Sequence, residues 1–493
     1  MRRPAVVASL LIVFAAATPA AGLAQSFRKP LERVLDAEPL RRHLWGIVVA
    51  DTTGKVLYAR NGDRLFIPAS NTKLVVTAVA AALLPPEFTV RTSVYGTGPV
   101  ADGVLAGHLV LYGRGDPTMG ERCYDVDTTR AGACTTDGFA PLRELARTLH
   151  ARGIHTVVGD VVGDGSYFEP TLVHPTWEVG DLPWWYATPV SGLGLLDNSL
   201  RLMATPGTPG RPADLVLSPW IGGLALENRT RSVAEGQPRT LEVLRDQEGR
   251  RYVVTGDVPI TSRVRPDYVA VADPALFTAE AFRRVLAEEG IAVLGGTRAT
   301  ADSLDFQLTR TSEPLAEVTS RPLRDWLFPI LNTSQNWYAE MLLKQLGRRF
   351  GQAGSWREGL TVERRFLIDS VGVDSTQFAL SDGSGLSAIN LVSPQAFVQL
   401  LTFMRKHPRY QVWAAGLPRA GEPGSLRNRF AGTPVEGRVA AKTGSISRVN
   451  TLSGYVRRPD GKTLVFSVQA NHHIVGGRAM IAAIDSAVVA MAR

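Results

Sequence analysis

Pro68-Ala69-Ser70-Asn71-Thr72-Lys73-Leu74 is the stretch on which the reading of this chain turns. A serine followed three residues later by a lysine is a short pattern, and the chain holds a second copy at Ser26-Phe27-Arg28-Lys29. Context separates them. Pro30 directly follows the Ser26 copy, and no apolar helix is expected behind it. After Lys73 come eleven residues, 74–84, carrying only Thr77 among apolar side chains, and then Pro85-Pro86. That pattern predicts a buried helix with a sharp stop. Positions i and i+3 at a helix start share a face, so Lys73 is placed to reach the Ser70 hydroxyl. The competing reading of the same residues is an N-capping serine beside a solvated lysine.

Two later triplets bear on that choice: Ser334-Gln335-Asn336 and Lys442-Thr443-Gly444. Each alone has a plain structural reading, a polar cap before residues 337–342 for the first and a strand-edge turn for the second. Taken in order, the three supply a nucleophile, a base, a proton relay and an anion clamp. Those are the parts of acyl transfer through a serine ester.

The rest of the chain sets bounds. Its 493 residues exceed one compact core, so two or three domains are expected. With 45% apolar and 20% charged residues it is an ordinary folded protein. The net charge of +8 arises without long basic runs, and no nucleic-acid role is expected from it. Met1-Arg2-Arg3, an apolar stretch over residues 5–17 and small residues at Ala20-Ala21-Gly22-Leu23-Ala24 read as a signal peptide over 1–24, cut after Ala24. No stable membrane anchor is expected beyond it, and the mature protein is placed in the periplasm or outside the cell. In such an oxidising compartment Cys123 and Cys134 are expected to close a local loop as a disulfide. No metal or other cofactor is expected, and His472-His473 has no third ligand at a familiar spacing.

Hydrophobic patterning predicts a split domain. Residues 44–50 and 55–59 read as a hairpin around Asp51-Thr52-Thr53-Gly54, and strands at 439–441, 451–456 and 464–468 with a helix over 479–491 close the chain. The fold class expected is α/β (α+β): an antiparallel sheet flanked by helices, built from 25–90 and 311–493. A β-rich insertion at 91–310, of one or two domains, interrupts it. Short strands at 108–112 and 252–255 and helices at 141–152 and 279–289 mark that insertion.

The ordered motifs resemble those of the penicillin-recognising serine enzymes, whose domain is the transpeptidase/β-lactamase-like fold. The long insertion after the first motif is similar to the D-Ala-D-Ala carboxypeptidase/endopeptidase family, the class C low-molecular-mass penicillin-binding proteins. Further stretches that look like that family are Gly113-Arg114-Gly115-Asp116-Pro117, Asp164-Gly165-Ser166-Tyr167-Phe168, Leu182-Pro183-Trp184-Trp185-Tyr186 and Ser381-Asp382-Gly383-Ser384-Gly385-Leu386-Ser387. The resemblance implies a serine D-alanyl-D-alanine carboxypeptidase or D,D-endopeptidase acting on peptidoglycan stem peptides and inhibited by β-lactam antibiotics.

In that reading Ser70 attacks, Lys73 with a lowered pKa takes the proton, Ser334 relays it with Lys442, and Asn336 holds Lys73 and a substrate amide. The resemblance further implies backbone N–H groups of Ser70 and Ser445 as the oxyanion site. Thr443, Gly444, Ser445 and Lys442 then form the carboxylate end of the site, Asp164 recognises the stem side chain, and Ile446 and Ser447 line the same subsite. The chain carries Ala388 where many members have arginine. A β-lactamase-type hydrolase and a non-catalytic peptidoglycan-binding protein stand as the alternatives.

Overall fold

The computed structural model describes residues 19–120, 137–246 and 248–493, with side chains from residue 27 onward. Cys123, Cys134 and most of the expected signal peptide lie outside the described residues.

Strands from both chain ends meet in one sheet. β1 (Leu44–Asp51) and β2 (Val56–Arg60) form the predicted hairpin, and β3 (Val439–Ile446), β4 (Val449–Arg457) and β5 (Thr463–Asn471) return from the far end. The order is β2-β1-β5-β4-β3, antiparallel throughout. Asp51 fixes the first turn by accepting from the Thr53 N–H at 2.8 Å and the Lys55 N–H at 3.1 Å. Gly54 takes the positive φ of +97° that the turn needs.

The sheet is buried on both faces, and period-2 alternation sorts its side chains. On β1, Trp45, Ile47 and Val49 pack into a core with Phe27, Leu31 and Leu35 of α1 (Pro19–Leu35) and Ile484 and Val488 of α6 (Gly477–Met491). Val48 and Ala50 point the other way, into a core with α2 (Lys73–Leu83), α3 (Asn336–Phe350), α4 (Trp356–Phe366) and α5 (Pro394–Lys406). One expectation fails at α1. The Ser26 copy of the motif lies inside this helix, Pro30 included, because Phe27, Leu31 and Leu35 make a buried stripe at i, i+4, i+8 that outweighs one lost helix hydrogen bond. Its Lys29 is exposed.

Between α2 and α3 the chain builds further sheets. The largest has the order Thr297–Thr300, Val161–Asp164, Leu109–Gly113, Arg91–Gly96, Ala316–Thr319, and helices Ala140–Ala151 and Pro274–Glu288 pack on its core. The predicted strands and helices of this region are all present, lengthened or shifted by a few residues.

Candidate active site

The Ser70 turn is pinned to the sheet before it becomes a helix. Residues Ala69–Thr72 form a 3-10 turn that runs straight into α2. Thr451 Oγ1 of β4 donates to the Pro68 carbonyl at 2.9 Å, and Asn71 Nδ2 donates to Ser453 Oγ at 2.7 Å. Gly444 on β3 lets the edge strand approach: a Cβ there would sit 2.2 Å from Thr451 Oγ1 and 2.6 Å from the Pro68 carbonyl oxygen. Ala69, next to the serine, holds a left-handed φ of +47°. Such backbone costs on the order of 1–3 kcal/mol and persists only where its surroundings impose it.

The i, i+3 expectation holds. Lys73 Nζ donates to Ser70 Oγ at 2.9 Å, to Asn336 Oδ1 at 2.6 Å and to the Ser384 carbonyl at 2.7 Å. All three acceptors are neutral groups, and Lys73 is fully buried. Burial pushes its pKa down to about 7, against the opposing pull of Asp382 and Glu340. At pH 7 about half of such lysines are neutral, compared with roughly one in 3,000 at the ordinary value of 10.5. Burial is the leading cause at both lysines, and the repulsion from Lys73 adds to it at Lys442.

The second and third motifs meet each other. Lys442 Nζ donates to Ser334 Oγ at 2.9 Å and to the Thr443 carbonyl at 2.8 Å. Ser334 has a φ of +64°, a second strained residue at the site. Capping does occur beside it, but by Gln335, whose side chain accepts from the Trp337 N–H at 3.1 Å and so starts α3. Ser334 and Asn336 are thereby left facing the cleft. Asn336 Nδ2 donates to the Tyr186 carbonyl at 2.7 Å, so its amide is engaged on both sides and a substrate amide must compete for it. The Lys442 triplet lies within β3, not in a turn. Ser445 is exposed on that strand, its Oγ accepting from Asn450 Nδ2 at 3.0 Å.

These side chains open into a cleft of about 470 Å³ lined by Ser70, Ser334, Asn336, Ser445, Ile446 and Ser447 among others. That volume suits a short peptide segment. Ala388 also lines it, and so do two carboxylates that the sequence argument passed over, Glu178 and Asp181, beside Trp185 and Tyr186. Tyr186 OH donates to Asp181 Oδ1 at 3.0 Å. No motif marks these acids, because only the packing of their loop on α3 brings them to the rim.

Asp164 is placed elsewhere. It ends the strand Val161–Asp164, fully buried, accepting from the Ser166 N–H at 2.9 Å with Arg310 Nη1 at 3.6 Å. It does not line the cleft. The Asp-Gly step turned the chain inward, which is the ordinary structural use of that pair. Among the described residues no group of His, Cys, Asp and Glu could hold a metal ion. Nor is any described helix long and apolar enough to cross a membrane.

The chain matches the family model described as D-Ala-D-Ala carboxypeptidase 3 (S13) over residues 27–492. It is 34% identical over 478 residues to the D-alanyl-D-alanine carboxypeptidase of Actinomadura sp. (strain R39), covering 94% of this chain and 84% of that protein. It is 25% identical over 442 residues to the D-alanyl-D-alanine carboxypeptidase DacB of Haemophilus influenzae, covering 87% and 86%. The crystal structure of penicillin binding protein 4 (dacB) from Haemophilus influenzae superposes with a TM-score of 0.77 at 23% identity, covering 97% of this chain and 98% of that one.

Proposed function

The chain belongs to the D-Ala-D-Ala carboxypeptidase 3 (S13) family of serine peptidases, and from that premise we propose that Ser70 cleaves the bond between the two terminal D-alanines of peptidoglycan stem peptides. The observation that carries the reading is a fully buried lysine, its pKa lowered by that burial, with its amine 2.9 Å from a serine hydroxyl. A serine is a poor nucleophile until a base takes its proton, and Lys73 is such a base.

In the proposed sequence Ser70 Oγ bonds to the penultimate D-alanine carbonyl while its proton passes to Lys73 Nζ. Backbone N–H groups of Ser70 and Ser445 face the developing oxyanion, a kind of contact worth about 100–1000-fold in rate. The C–N bond then breaks, and the leaving amine takes a proton through Ser334 and Lys442. Water finally hydrolyses the ester. Thr443, Ser445 and the Lys442 charge receive the terminal carboxylate of the substrate, and Gly444 allows its approach. The same ester formed from a β-lactam ring, with no amine to depart, is the basis for penicillin acting as an inhibitor.

The division of the chain into a catalytic unit of 25–90 and 311–493 and an insertion of 91–310 is part of the same proposal, with the far boundary moved past the strand Ala316–Thr319, which joins the inserted sheet; so are export to the periplasm and removal of residues 1–24. The test is direct. Purified protein is incubated with stem pentapeptide and, separately, with cross-linked muropeptide dimers, and products are weighed by mass spectrometry. Release of one D-alanine from the pentapeptide is expected. No release from either substrate, together with fast turnover of penicillin, would favour the β-lactamase reading.

Glu178 and Asp181 give the cleft a negative rim that suits a cationic side chain on the stem. Glu178→Gln with Asp181→Asn is expected to raise KM about 2–5-fold for stems carrying an amine at the third residue, the scale of solvent-exposed charge pairs. Stems with a neutral third residue should be unaffected. Equal KM changes for both stems would remove charge recognition from this rim.

A further inference from the structure

The run Ser381-Asp382-Gly383-Ser384-Gly385-Leu386-Ser387 supplies no reacting group to the mechanism, yet it reaches the base. The peptide unit joining Ser384 to Gly385 is held at both ends. Its carbonyl accepts from Lys73 Nζ at 2.7 Å, and its N–H donates to Asp382 Oδ1 at 2.8 Å. Asp382 is fully buried. Three more donors fix its carboxylate: Trp177 Nε1 at 3.0 Å, the Ser387 N–H at 2.7 Å and Asn390 Nδ2 at 2.8 Å.

The neighbouring peptides are equally constrained. Glu340, one turn beyond Asn336 on α3, accepts from the Gly383 N–H at 3.0 Å, the Ser384 N–H at 2.7 Å and Trp356 Nε1 at 2.8 Å. Gly385 has a φ of +79°, and a Cβ there would stand 1.9 Å from the carbonyl oxygen of Ala69, the residue before the nucleophile. The loop therefore touches the Ser70 turn and the base at once.

We propose that Asp382 is a positioning residue for Lys73, acting through the 384–385 peptide. Its carboxylate fixes that peptide and polarises it, so the Ser384 carbonyl becomes a stronger acceptor for the lysine amine. Nζ is thus aimed at Ser70 by a third group behind the base, with a peptide unit as the connecting piece. The same negative charge favours the protonated amine and so offsets part of the burial effect. The charged groups facing Lys73 are Lys442 across the cleft and Asp382 and Glu340 behind it. His174, Lys344 and Glu363, all buried, and the half-buried Glu169 lie beyond those acids.

The inference rests on Lys73 being the base of Ser70. Its test is the rate of acylation by a fluorescent penicillin, measured against pH for the wild type and Asp382→Asn, with the fraction labelled at saturation as the control for folding. Asp382→Asn should lower the midpoint of the acid limb by about one pH unit, the scale of one nearby charge. Its maximal rate should fall about 10–100-fold, as loss of orientation at a reacting group does. Full labelling with an unmoved midpoint would leave Asp382 a merely structural role and overturn the proposal.

If Asp382→Asn does not melt cooperatively, the paired exchange D382N/N390D takes its place. That variant returns a carboxylate to the loop, at a position that receives the Ser381 and Asp382 N–H groups instead of Gly385. A maximal rate about 10-fold or more below wild type supports the proposal, and a wild-type rate refutes it. Lys73→Ala labelling as fast as wild type would instead sink the base assignment, a separate result.

Discussion

Ser70→Ala is expected to abolish the covalent penicillin adduct and reduce D-alanine release by on the order of 10⁶-fold, the scale on which removing a serine nucleophile acts. That is about 8 kcal/mol of barrier at 1.36 kcal/mol per tenfold. The loss is chemical, because the substitution removes one oxygen and little else. Ser70 is only half-buried, and the turn that carries it is tied down by Thr451 and Asn71, not by the serine. Ser70→Ala should therefore melt within a degree or two of wild type, the small change expected where no core contact is lost. Intact-protein mass after penicillin treatment reads the result. A wild-type adduct on the alanine variant would move the nucleophile to another residue.

Much of this arrangement is legible before the fold is known, for identifiable reasons. The sheet announces itself because its strands alternate between two buried faces, as Ile47 and Val49 against Val48 and Ala50 show. The Ser70–Lys73 contact is legible because it is local, set by the pitch of one helical turn. What the sequence hides is made by distance. Asp382 and Glu340 stand 42 residues apart in the chain, and both hold the loop whose Ser384 carbonyl receives the Lys73 amine. Glu178 and Asp181 acquire meaning only from the cleft they border. Asp164 shows the local use of its pair: the Asp-Gly step turns the chain, and the carboxylate goes inward to Ser166 and Arg310. Local signals serve for elements and for adjacent catalytic pairs, while the support behind a base is tertiary.

Lys73→Met tests that base most sharply. The thioether keeps most of the buried volume and removes the amine, so acylation should fall by about 10²–10⁴-fold, the range of general-base assistance. The pH dependence of the wild type supplies an independent reading with a fixed sign. Only the neutral amine accepts the Ser70 proton, so the acylation rate rises with pH through the Lys73 pKa of about 7 and is lost as pH falls below it. An unperturbed lysine would put that limb near 10.5. Lys442 faces the opposite requirement, since it must hold a charge to bind a carboxylate. Burial and Lys73 both push its pKa well down, and an arriving anion favours the protonated form again. The two lysines are thus driven toward different states by what each faces, a serine hydroxyl for one and the substrate's anionic end for the other. Lys73→Met should flatten the acid limb along with the rate. If the limb near pH 7 instead survives that substitution, the titrating group is another residue and the neutral-lysine mechanism falls.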